Sequence, residues 1–264
     1  MREVLDLAWY CPSEGDGHRL GTPAPERPPD FAYLLRVAQA AERAGAREIL
    51  VPTGVVNDSF APDAAFSESW TTAAALAART RRIRIIAAVN PSTIAPARAA
   101  HQAETLERLS EGRLAVNLVA GGGPDDGYGS PPATHEQRYA RLGDLADALR
   151  ARFGGPLYIG GASEAAQALA ARACDAYLMW GEPPEDIAGR VDAMRARAGR
   201  PMRFGLRIHV IARRSDREAR AAAAGLLAGA AVQDARAGEY EAFDSVGQGR
   251  KNAIPADEEG WVAP

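Results

Sequence analysis

Seven short apolar runs recur along the chain: VLDLAWY (4–10), REILVP (47–52), RIRIIAAV (82–89), RLAVNLV (113–119), PLYIGG (156–161), DAYLMW (175–180) and RFGLRIHVIA (203–212). Several are almost continuously apolar, the pattern of parallel strands covered on both faces. Between them the apolar residues return every three to four positions, which predicts helices at about 30–45, 66–80, 96–110, 135–152, 163–173, 184–198 and 215–230. Boundary residues agree: Asp30 is placed to cap the first helix, Gly45 to end it and Gly112 to end the third. Strands alternating with helices form βαβ units around a parallel sheet.

No Pro/Gly/Ser linker interrupts the alternation, so residues 1–264 are expected to form one domain, with loop insertions near 11–29 and 55–67 and a polar tail over 245–264. A length of 264 residues matches one (β/α)₈ barrel of about 250. The unit count, however, is seven. The expected fold is therefore α/β and TIM-barrel-like, with about seven recognisable βα units and no eighth strand. An open doubly wound sheet would accept seven strands, but CPSEGDGHRLGT (11–22) follows the first run where a dinucleotide fold carries G-x-G-x-x-G.

Composition removes several classes. With 31 basic and 34 acidic residues the formal charge is -3, which argues against nucleic acid or an anionic membrane as partner. No apolar stretch reaches the ~18–20 residues that span a bilayer, and acids come early in MREVLDLAWY, so a cytoplasmic protein without a signal peptide is expected. Cys11 and Cys174 are too few and too far apart for a disulfide framework or a zinc cluster and read as small buried apolar residues. No metal-ligand spacing, G-x-S-x-G elbow or Walker loop is present.

In parallel α/β folds chemistry collects at the carboxyl ends of the strands. There the chain carries GDGHRLGT (15–22), PTGVVND (52–58), NPS (90–92), AGGGPDDGYG (120–129), IGGASEAA (159–166) and WGEPPE (180–185). In GGAS (160–163) a glycine pair precedes an N-cap serine, which suits either a phosphate on a helix N-terminus or only a tight βα turn. Arg207 and His209 stand two apart in a predicted strand and so share a face, with Leu206, Ile208 and Val210 on the other. A guanidinium and an imidazole facing a lumen favour a polar or anionic ligand. His18, in a Gly-rich loop, is a candidate ligand contact, whereas His101 reads as an ordinary helix residue. His135 and Tyr139 lie one turn apart, so they face one ligand together or serve as a cap and a packing ring. Trp9, Tyr10, Trp70 and Trp180 lie near strand ends or helix starts, where an aromatic either stacks on a flat cofactor or belongs to the core.

Taken together, GDGHRLGT (15–22), ILVPTG (49–54), HQAETLERLSEGRLAVNLVAGG (101–122), HEQRYA (135–140), LYIGGASEAAQALAA (157–171), AYLMWGEPPE (176–185), RFGLRIHVIAR (203–213) and DSVGQ (244–248) resemble the flavin-dependent alkanesulfonate monooxygenases of the bacterial luciferase-like superfamily. The segments occur in family order over nearly the whole chain. The resemblance implies a (β/α)₈-type barrel that takes FMN, delivered reduced by a separate NAD(P)H-dependent flavin reductase. Oxygen adds to the reduced flavin, the carbon bearing a sulfonate is oxidised, and sulfite and an aldehyde result. It places the FMN phosphate at Gly161, Ala162 and Ser163, with His135 and Tyr139 contributing to the flavin site and Asn117 approaching the isoalloxazine. Arg207 would meet the sulfonate or the oxygenated flavin, Trp180 would line the substrate site, and His209 would handle a proton. His18 matches a loop histidine near the substrate.

The chain departs from that pattern in three places. Val55, Val56 and Asn57 stand where the family has a cysteine, and only Gly154 and Gly155 replace a family segment between Phe153 and Pro156. Past Trp261 no counterpart is expected for the family's mobile arginine-bearing loop, eighth strand and active-site tyrosine. A second reading is therefore a non-catalytic or degenerate flavin-binding relative. A third is an F420-dependent relative, which the R-I-H strand disfavours. Without an eighth strand, strands one and seven are left as open edges, so a homo-oligomer that covers the gap is expected.

Overall fold

The computed structural model describes residues 5–16, 24–54, 57, 60, 64–121 and 133–233, with side chains to 226. Seven strands pair in parallel in chain order: β1 Ala8–Tyr10, β2 Glu48–Val51, β3 Arg84–Val89, β4 Leu114–Leu118, β5 Leu157–Gly160, β6 Ala176–Trp180 and β7 Arg203–Arg207. Helices α1 Phe31–Arg43, α2 Ser69–Arg79, α3 Pro96–Leu109, α4 His135–Arg152, α5 Glu164–Ala173 and α6 Pro184–Ala198 join successive strands, and α7 Asp216–Gln233 follows β7. The predicted βα alternation is thus met unit for unit among the described residues.

Local chemistry sets the helix ends. Asp30 accepts from the Tyr33 N–H at 2.7 Å, and Gly45, at φ 89°, reverses the chain after α1. Thr134 and Gln137 form a capping box on α4, and Ser163 caps α5 through the Ala166 N–H at 3.2 Å.

Strand register separates two faces. Ile49, Val51, Ile85, Val89, Leu114, Val116, Leu118, Leu157 and Ile159 are buried against the helices and form the main core. The alternate positions Ile86, Ala115, Tyr158 and Ala176, with Leu50 and Leu178 packed on them, form a smaller core inside the curl of the sheet. The two sets explain why the runs read as continuously apolar: both faces are covered.

The curl is evident in side chains that meet across several strands. Glu48 Oε1 accepts from the Tyr158 hydroxyl at 2.7 Å and from Arg203 Nη1 at 3.0 Å, joining β2, β5 and β7. Five strand spacings would put β2 and β7 roughly 24 Å apart in a flat sheet. Arg84 Nη1 reaches the same carboxylate at 3.4 Å, so the amino-terminal end of the lumen is plugged by a polar cluster. Burial, together with Glu48, raises the Tyr158 phenol above its ordinary value and keeps it neutral.

The two edge strands are shorter than their sequence runs. The predicted strand 203–212 ends at Arg207, and the predicted 4–10 begins at Ala8. Among the described residues each pairs on one side only, so a single neighbour sets its extended register. Across the seam Arg203 Nη2 lies 3.5 Å from Asp6, and the Arg207 guanidinium lies over the Tyr10 ring. The outward apolar residues flanking the seam are uncovered: Leu5 82% exposed, Trp9 54%, Ile208 59% and Val210 70%. No described side chain of α7 is buried. Among the described residues no helix is long and apolar enough to cross a membrane.

Candidate functional site

The carboxyl end of the curled sheet gathers three groups of residues. The first is a cradle after β5. Gly161 has φ 128°, a region that side-chain-bearing residues avoid, and a Cβ there would meet Ala166 Cβ at 2.8 Å and the Tyr139 hydroxyl at 3.1 Å. The Gly161 carbonyl accepts from the Tyr177 hydroxyl at 2.6 Å, and the Ala162 carbonyl accepts from Gln167 at 2.9 Å. Both carbonyls are thereby turned inward, and α5 presents its first-turn N–H groups and the positive end of its dipole beyond Ser163. His135, at the first position of α4, lies with its ring centroid 4.7 Å from that of Tyr139, tilted by 38°. Thr134, not His135, caps the helix. Five expected residues, His135, Tyr139, Gly161, Ala162 and Ser163, therefore come together at one corner.

The second group is Asn117 on β4. It pairs in register with Ala88 and Tyr158 and shares the lumen face of Ala115. Its Oδ1 is buried with no hydrogen-bond partner among the described residues. A buried carbonyl without a donor costs about 1–3 kcal/mol unless a ligand supplies the N–H.

The third group surrounds Arg207, the last residue of β7. Its Cζ lies 4.5 Å from the centre of the Trp180 ring on β6 and 4.7 Å from that of Tyr10 on β1. Arg207 is half-buried, and among the described residues its guanidinium meets no carboxylate and no hydrogen-bond acceptor. The other two lumen arginines, Arg84 and Arg203, both reach Glu48. The turn after Trp180 is fixed by Glu182, which receives both Arg190 Nη1 at 2.8 Å and Arg190 Nη2 at 2.5 Å.

His209 does not share a strand face with Arg207. It lies two residues past the end of β7 and is exposed, because the chain leaves the sheet once β6 no longer pairs with it. His18 lies outside the described residues. His101 is an exposed residue of α3 that sits 3.9 Å from Glu104. Of the four aromatics, Trp70 donates from Nε1 to the Ala88 carbonyl at 3.1 Å and packs on the main core, Trp9 faces outward, and Tyr10 and Trp180 face the lumen. Register with Leu50 assigns Tyr10 its face, a signal present in the sequence only once the strand pairing is known.

Both thiols are buried and unpaired. Burial pushes Cys11 up to about 11, with Ser13 pulling the other way, so the thiol nearest the strand ends is protonated at neutral pH. Among the described residues no cluster of His, Cys, Asp and Glu could hold a metal ion.

The luciferase-like monooxygenase family model matches residues 5–155 and 152–262, two segments that overlap at 152–155. Among solved structures, the chain is similar to the EDTA monooxygenase EmoA from Chelativorans sp. BNC1, with 20% identity and a TM-score of 0.73 over 85% of this chain and 66% of that one. The chain thus spans just under two thirds of that protein's length. A riboflavin lyase, RcaE, whose structure holds modified FMN and riboflavin, is 18% identical, with a TM-score of 0.73 over 86% of this chain and 67% of that one. The long-chain alkane monooxygenase LadA is 17% identical, with a TM-score of 0.75 over 98% of this chain and 76% of its own.

Proposed function

Because the chain belongs to the luciferase-like monooxygenase family, we propose that it is the oxygenase of a two-component system that takes reduced FMN from a separate NAD(P)H-dependent reductase. Its substrate is a small alkanesulfonate, which it converts with O₂ to an aldehyde and sulfite. The observation that carries the anionic substrate is Arg207: a half-buried cation at the lumen mouth, flanked by two rings, with no acid beside it among the described residues. Desolvation makes such a cation costly unless an anion visits it, and a planar guanidinium offers a sulfonate two parallel N–H donors.

The residues present fit FMN. Its phosphate suits the Gly161, Ala162 and Ser163 cradle, where no Cβ intrudes at Gly161 and the α5 dipole favours negative charge. The Asn117 Oδ1 supplies the acceptor that an isoalloxazine N–H requires. Tyr139 and His135 close the cradle on its α4 side. When bound and reduced, the flavin supplies the oxygen-activating chemistry. The chain's own groups bind and orient: Arg207 and Trp180 hold the anionic substrate, and Asn117 fixes the ring. His209 and His18 are the proposed proton-handling and substrate-loop groups.

A flavin-binding relative without oxygenase activity is the rival reading, favoured by the uncovered seam between β1 and β7. Purified protein combined with a flavin reductase, NADH and a panel of alkanesulfonates separates the two. Sulfite release that depends on Arg207 supports the first reading, and FMN binding without turnover supports the second. We also propose that a second copy of the chain covers the apolar rim of the seam. Light scattering should then give a mass above the monomer, and a clean monomer at working concentration refutes that cover.

A further inference from the structure

We propose that Tyr10 is a positioning residue for Arg207: with Trp180 it forms an aromatic clamp across the open seam that keeps the guanidinium turned into the lumen. The inference rests on the reading of Arg207 as the anion-binding group and adds what holds it in place. Arg207 ends an edge strand. Its β6 neighbour in register is Trp180, but on its other side no strand among the described residues pairs with β7. A long side chain at such a position has an exit through the seam. Tyr10 stands in that exit, with its ring centre 4.7 Å from the Arg207 Cζ and its backbone fixed by pairing with Leu50 of β2. At the other end of the same seam Arg203 reaches Asp6, so among the described residues side chains bridge the β1 and β7 sides of the seam at both ends.

The geometry also dictates how a ligand meets Arg207. Its Cζ lies over the Tyr10 ring at 4.7 Å and over the Trp180 ring at 4.5 Å, so the cation is held by two ring quadrupoles that take none of its N–H donors as an acid would. An oxyanion therefore meets the guanidinium beside the Tyr10 and Trp180 rings, with its donors free of any acid among the described residues. A carboxylate could not hold the arginine in the same way without neutralising it, whereas two rings position the cation and leave its charge for the ligand.

Two measurements test the clamp on the 264-residue chain. In arginine-labelled ¹H–¹⁵N spectra the Arg207 Nε–H, assigned by its disappearance in Arg207→Lys, should be shifted upfield by the flanking rings. Tyr10→Phe should keep that shift and Tyr10→Leu should move it toward the free-arginine position, with no ligand present. In parallel, Tyr10→Leu should weaken binding of butane-1-sulfonate roughly 3- to 30-fold, while Tyr10→Phe stays within about twofold of wild type. FMN affinity, read at the β5 cradle, should be the same in all three proteins, which a general loss of structure would not allow. An Arg207 signal that is unshifted, or indifferent to Tyr10→Leu, overturns the clamp. If the signal behaves as expected but neither wild type nor variants bind the sulfonate, the clamp stands and the sulfonate reading of Arg207 fails.

Discussion

Replacing Glu48 with glutamine tests whether the polar plug holds the curled sheet closed. Glu48 is 5% exposed and ties β2 to β5 through the Tyr158 hydroxyl at 2.7 Å and to β7 through Arg203 at 3.0 Å. A hydrogen bond to a buried carboxylate contributes about 1.5–3 kcal/mol, and a neutral amide keeps about 1 kcal/mol of the Tyr158 bond. The Arg203 side chain is 45% exposed, so screening holds its share to about 1 kcal/mol, and Arg84 at 3.4 Å adds only a few tenths. Glu48→Gln should therefore lose about 2 kcal/mol, or roughly 4–8 °C in Tm for a chain of this size. Urea unfolding followed by circular dichroism measures it. Glu104→Gln, which breaks an exposed pair with Arg152, is the control and should leave the unfolding midpoint unchanged within error. Combined with Tyr158→Phe, the Glu48 substitution should be less than additive, because the two side chains share one bond. If Glu48→Gln unfolds within about 0.5 kcal/mol of wild type, the plug does not hold the curl and the closure argument fails.

Gly161→Ala should destabilise the fold by about 1–3 kcal/mol, since the residue sits at φ 128° with Ala166 2.8 Å from the new Cβ, and should weaken FMN binding at least tenfold by calorimetric titration. Asn117→Ala should weaken FMN binding about 3- to 10-fold yet leave thermal stability unchanged or slightly higher, because it removes a buried acceptor that lacks a donor among the described residues; a large stability loss would mean the side chain is structural. Cys11 and Cys174, raised to about 11 and about 12, should resist a disulfide reagent at pH 8 in the native protein and react fully in denaturant. Raised folded values mean that their contribution to stability is complete below the ordinary thiol value of 9.0 and is lost as pH climbs through 11 to 12, so melting temperatures should fall steeply above pH 9.

The strands and helices were legible because each βα unit carries its own signals. The apolar runs mark the strands, Asp30 and Ser163 mark helix starts, and Gly45 marks an end. The turn at Gly161, here proposed to take the FMN phosphate, was legible for the same reason, since GGAS lies within a single βα turn. Features joining distant strands were not. Glu48, Arg84, Tyr158 and Arg203 read individually as strand residues, and only the curl makes them one cluster. Tyr10 is likewise ambiguous until the seam brings β1 beside β7. The alternation that put His209 on the face of Arg207 assumed a strand that continues to 212, and an edge with one neighbour does not sustain it.

Titrating the purified protein with oxidised and reduced FMN tests the central claim most directly, because the cradle at Gly161 and the unpartnered Asn117 Oδ1 are both read as parts of one flavin site. One FMN per chain, weakened by both Gly161→Ala and Asn117→Ala, is the expected result. Failure of either redox form to bind, or binding indifferent to both substitutions, contradicts the account.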